Sequence, residues 1–106
     1  MLLLLLLANL ISFTVSPTTC LAPCDLVLRV RVEPAPDNDK VAIQVEGEQF
    51  YRFTEIPYNN GGNKSFQVTY KGVPAGNYEI IVYLHKHDGK SWVAGIDKKI
   101  VKVVEG

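Results

Sequence analysis

The sequence predicts an all-β fold, a single antiparallel β-sandwich of about six to seven strands following an N-terminal signal segment. Three observations lead there. Several runs alternate apolar and polar side chains with a period of two, most clearly Tyr78, Ile80, Val82 and Leu84 against Glu79, Ile81, Tyr83 and His85. Turn-forming residues separate these runs, among them Val73-Pro74-Ala75-Gly76 and Asp88-Gly89. No helical period occurs after the leader.

Residues 1–22 read as the signal segment, cleaved or of lipoprotein type, and residues 25–106 as the sandwich domain. Six consecutive leucines precede Ala8, Leu10, Ile11, Phe13 and Val15, an apolar run shorter than the ~20 residues of a spanning helix. A secreted or extracytoplasmic location follows as an expectation, with membrane contact only through this segment or a lipid anchor. Both cysteines sit at its end. Cys20 could carry a lipid, could pair with Cys24 across a small loop, or could leave with the signal and strand Cys24 as a lone thiol.

Leu26, Leu28, Val30 and Val32 point inward from the first strand, with Arg29, Arg31 and Glu33 outward. Pro34 to Asp39 ends that strand, because proline cannot donate to a ladder and Asp and Asn favour turns. Lys40 to Glu46 follows with Val41, Ile43 and Val45 inward, and Gln49 to Thr54 puts an aromatic on each face. Residues 55–63 have loop composition and hold the sequon Asn63-Lys64-Ser65. Lys64 to Lys71 returns to alternation, with Phe66, Val68 and Tyr70 inward. After the hairpin at Asp88-Gly89, Lys90 to Ala94 and Lys99 to Val104 form the last strands, with a bulge at Gly95 and Ile100 inward. Tyr78, just past the turn, stands where its hydroxyl can cap the preceding backbone, as in a tyrosine corner, or serve as a plain core aromatic.

The stretch Phe66 to Val82, FQVTYKGVPAGNYEIIV, resembles the strand, Pro-Ala-Gly turn and strand of prealbumin-like and carboxypeptidase-regulatory-like domains of exported proteins, a motif shared with fibronectin-III-like domains. It is also similar to a family of secreted bacterial proteins of that fold in which the strand runs into an acidic, Asn/Gly-rich loop. Here His85 to Lys90 is a tight hairpin without a run of acidic ligands. The resemblance implies an Ig-like or prealbumin-like sandwich with a non-catalytic adhesive, scaffolding or binding role.

Eleven Lys and Arg balance eleven Asp and Glu, so no basic field draws nucleic acid or acidic lipid. No nucleophile elbow, phosphate loop or HExxH pattern occurs, and no catalytic residue and no cofactor is expected. His85 and His87 leave one face of a strand and could hold Zn²⁺ or Cu²⁺ with a third ligand such as Asp88. Tyr83 shares their face, and with Trp92 could stack on sugar rings or meet a protein. The expected function is an exported, non-enzymatic binding or structural module at the cell surface, its partner a protein or glycan. The alternatives are a carbohydrate-binding module using exposed aromatics and a small metal-handling protein using His85 and His87.

Overall fold

The computed structural model describes residues 10–58, 65–87 and 89–105. Among these are eight strands and no helix: β1 (Ile11–Ser16), β2 (Thr19–Leu21), β3 (Cys24–Val32), β4 (Asn38–Glu46), β5 (Tyr51–Pro57), β6 (Ser65–Val73), β7 (Gly76–His87) and β8 (Ser91–Val104). They form two sheets, one ordered β1-β3-β6 and the other β2-β8-β7-β4-β5. All neighbours are antiparallel except β2, which runs parallel to β8.

Alternation decides what is buried. Leu26, Leu28, Val30 and Val32 of β3, Val41, Ile43 and Val45 of β4, and Tyr78, Ile80, Val82 and Leu84 of β7 all enter one core between the sheets. Tyr70 is buried, with Phe66 and Val68 packed against the core. Each of the fully buried aliphatic side chains contributes about 1.5–3 kcal/mol relative to exposure.

Three expectations need correction. The fold begins well before residue 25, because β1 and β2 come from the stretch assigned to the leader and Ile11, Phe13 and Val15 are core residues. Their alternation with Ser12, Thr14 and Ser16 satisfies a strand as readily as it interrupts an apolar leader. The last two strands are one, β8, since Gly95 to Lys98 continues the ladder past a bulge opposite Leu84 and His85. Ile100 points outward, because pairing of Tyr78 with Val101 sends Val101 and Val103 into the core, and a one-residue change of register exchanges the two faces.

The sandwich is pinned along both sides and at both ends. On one side the Phe13 N–H of edge strand β1 donates to Asp97 Oδ2 of β8 at 3.1 Å; on the other, Thr54 Oγ1 of β5 and the Tyr70 hydroxyl of β6 lie 2.9 Å apart. At one end the Tyr78 hydroxyl donates to the Pro74 carbonyl at 2.6 Å, the capping alternative of the two its position allowed. Its ring meets Phe50 edge-on at 5.9 Å and covers Gly47 so closely that an added Cβ would collide with Cε1 and Cδ1. Burial pushes the Tyr70 and Tyr78 phenols above their usual values, which keeps both protonated as hydrogen-bonding groups. At the opposite end the buried Lys86 donates to Asp37 Oδ1 and Asn38 Oδ1, each at 2.9 Å, and Asn38 Nδ2 donates to the Glu33 carbonyl at 3.0 Å. The turn residues Asp37 and Asn38 thereby neutralise and solvate an ammonium that the core end would otherwise leave unpaired.

Tyr78→Phe keeps the ring and removes the cap, and is expected to cost about 1 kcal/mol in denaturant titration; Gly47→Ala, which overpacks the same ring, is expected to cost about 1–3 kcal/mol. The hydrogen bond from Lys86 holds the Asp37 carboxyl below its usual value. A carboxyl depressed in the folded state stabilises above its unfolded pKa and loses that contribution as pH falls through the folded value. Wild type should therefore lose stability relative to Asp37→Asn on acidification below about pH 4, read from denaturation midpoints of both proteins across that range.

Candidate functional site

The two outer faces of the sandwich differ in chemistry. On the three-stranded sheet, Thr14 pairs with Arg29 and Arg29 with Gln67, while Ser12 pairs with Arg31 and Arg31 with Ser65, so that face is hydroxylated and basic. The five-stranded sheet presents a largely apolar face in register. Across β8, β7, β4 and β5 one row reads Ile100, Glu79, Glu46, Tyr51; the next Lys98, Ile81, Gln44, Phe53; the next Ile96, Tyr83, Ala42, Glu55; and the last Val93, His85, Lys40, Pro57. Ile96 and Ile100 remain 57% and 64% exposed, and Tyr51 and Phe53 52% and 50%. Side chains of this size left in water flank the face on its two outer columns, β8 and β5, with the half-buried Ile81 and Tyr83 of β7 between them, an arrangement of the kind that marks an interaction surface.

The charges on that face are answered within it. Lys98 Nζ lies 3.5 Å from Glu79 and Lys40 Nζ 3.0 Å from Glu55, while Gln44 Nε2 donates to Glu46 at 3.0 Å. These exposed pairs are individually weak. Their distribution is polar along the strands: Glu79 and Glu46 occupy one end of β7 and β4, and His85 and Lys40 the other. Beside Glu46 and Glu79 the surface dips into an open cleft of about 550 Å³ that reaches Glu48 and Asn77.

The residues singled out in the sequence are only partly brought together. Tyr83 and His85 share the outer face, their rings 6.5 Å apart, and His87 follows exposed at the end of β7. Trp92 does not join them. It pairs with Lys86, whose side chain turns inward, so the ring leaves the opposite side of the sheet and the expected aromatic pair with Tyr83 is not formed. Cys20 and Cys24 form a disulfide that ties β2 in one sheet to β3 in the other; the Cys20 sulfur considered for a lipid is the one bonded to Cys24. Asp88 and the sequon's Asn63 lie outside the described residues. Sequence reasoning overlooked Ile96, Ile100, Phe53 and Val93. The two-residue spacing of Ile96, Lys98 and Ile100 carried the signal, masked by placing Ile100 in the core.

Compared with known proteins, the sequence matches no family model and no curated protein. The structure is similar to that of a superoxide reductase (neelaredoxin) from Ignicoccus hospitalis, with a TM-score of 0.59, at 16% identity, over 87% of this chain and 79% of that one. At that identity the likeness is one of fold. It corrects the prealbumin-like, Ig-like assignment, which rested on a turn and two strands within residues 66–82 and took no account of β1 and β2. The expectation of a non-enzymatic binding or structural module, with its carbohydrate-binding and metal-handling variants, is overturned by the same finding, since the similar structure is that of a superoxide reductase. Among the described residues no three His, Cys, Asp or Glu side chains converge as a metal site needs, and both sulfurs are committed to the disulfide; Asp88, the third ligand considered for His85 and His87, lies outside the described residues. The chain is thus similar in fold to a superoxide reductase, and the outer face of its five-stranded sheet leaves Tyr51, Phe53, Ile96 and Ile100 exposed.

Proposed function

We propose that this chain works as a paired subunit, two copies meeting through the outer face of the five-stranded sheet. The observation that carries this reading is the exposure of Tyr51, Phe53, Ile96 and Ile100 on one face of the sandwich, while on the opposite outer face the half-buried Val27 stands among Ser, Thr, Gln and Arg side chains. Four rows by four strands, at ~4.8 Å between strands and ~6.6 Å between rows, cover roughly 500 Å² per copy. A pair therefore buries about 1,000 Å², the lower bound of a specific interface, which suits a reversible dimer of about micromolar affinity. The second copy is favoured as occupant because Glu46 and Glu79 share the first row and Lys40 stands in the last, with Ile81, Tyr83 and Ala42 between, so that the face can complement itself when its rows are reversed.

Sedimentation velocity of the full chain between about 1 μM and 1 mM should show a concentration-dependent dimer. Ile96→Lys or Phe53→Lys, both at exposed positions, should leave the fold intact and shift the protein to monomer, and Thr69→Lys on the other sheet should change nothing. A monomer at every concentration, or a dimer indifferent to Ile96→Lys, overturns the reading.

A further inference from the structure

Taking that pairing as given, we infer that the two copies are related by a two-fold axis lying between the sheets and perpendicular to the strands, so that the acidic end of one face covers the basic end of the other. The inference comes from register. A two-fold contact is isologous, each patch meeting its own image, so only two orientations stack these sheets with strands near-aligned. Packed sheets keep their strand directions within about 30°, which leaves the row-by-row correspondence intact near the centre of the face.

With the axis perpendicular to the strands, each strand covers its own copy with its direction reversed. Glu79 then lies over His85 of the second copy and Glu46 over Lys40, and the reciprocal pairs repeat these contacts by symmetry. Ile81 meets Tyr83, Ile100 meets Val93, and Tyr51 meets Pro57, all apolar against apolar. Lys98 lies along Ile96 and Phe53 along Glu55, positions at the outer columns where a long charged side chain can lay its stem on the apolar surface and keep its head in water. The column assignments are those of the observed ladders.

With the axis parallel to the strands, the columns exchange and the rows do not. Glu79 would cover Glu46, and His85 would cover Lys40, so both ends of the contact would oppose like groups. Ile96 would meet Glu55 and Ile81 would meet Gln44, breaking the apolar centre as well. Juxtaposed like charges at a contact act against the wrong orientation more strongly than favourable pairs reward the right one. Within its own copy His85 has Lys40 beside it on β4 and Val93 opposite it on β8, and the perpendicular axis brings over it the second copy's Glu79, a carboxylate that also lies 3.5 Å from Lys98.

The test is a charge exchange along β4 at exposed positions, read by sedimentation of the full chain. Glu46→Lys alone places a cation over Lys40 of the second copy and should weaken the dimer by about tenfold. Lys40→Glu alone should weaken it to a similar extent, and the two substitutions in one chain should restore most of the wild-type affinity. A dimer that Ile96→Lys abolishes but that Glu46→Lys leaves unchanged or tightens overturns the orientation and leaves the paired-subunit reading standing, since the parallel-axis arrangement would place the new cation over Glu79. Absence of any dimer overturns both.

Discussion

The structure depends on the parity of β7. A strand hydrogen-bonded on both sides cannot slip by one residue without turning every side chain over, and β7 is paired with β4 and β8 along nearly its whole length. Sending Tyr78, Ile80, Val82 and Leu84 into the core aligns Val41, Ile43 and Val45 on one neighbour and Val101 on the other. The same choice dictates the outer face, since Ile81, Tyr83 and His85 then emerge beside Gln44, Ala42 and Lys40. Core and contact surface are two sides of one register.

Likeness of fold does not by itself carry likeness of chemistry. A two-sheet sandwich similar to that of a superoxide reductase positions no converging donor set among the described residues, and its cysteines serve a cross-link between layers. Fold constrains where side chains can stand, while reactivity depends on which side chains stand there. Among the described residues the feature that stands out is a row of apolar side chains left in water along β8 and β5, with acidic Glu46 and Glu79 in the first row of the face and Lys40 in the last.

Much of the fold was legible in the sequence. Strands β3, β4, β6 and β7 declared themselves through alternation because each has one face in the core and one in water, and Tyr78 could be placed at its cap from a turn two residues upstream. The failures have a common cause. Where both faces carry apolar residues, as in Ile96 to Val104, alternation cannot say which side is inward, and only pairing with β7 decides it. Where an apolar strand abuts a longer apolar run, as in Ile11 to Val15, length dominates the reading and the strand disappears into a leader. The exposed outer face was hidden for the same reason, Ile100 having been counted as core and Ile96 assigned to no face. The polar knot of Asp37, Asn38 and Lys86 was seen as a turn but not as a cage, because the lysine that completes it lies about fifty residues downstream.

The parallel pairing of β2 with β8 has a mechanical consequence. Thr19 to Leu21 lie beside Lys102 to Val104 with both strands pointing the same way, and the pairing is extended by the Ala22 and Lys102 amides. Tension applied upstream of Thr19 and downstream of Val104 pulls these strands lengthwise past each other, so their hydrogen bonds share the load at once instead of parting in sequence like a zipper. Such a lock resists stretching more than its three residue pairs would suggest, and it would hold the Thr19 to Leu21 segment to the end of β8 against an external force.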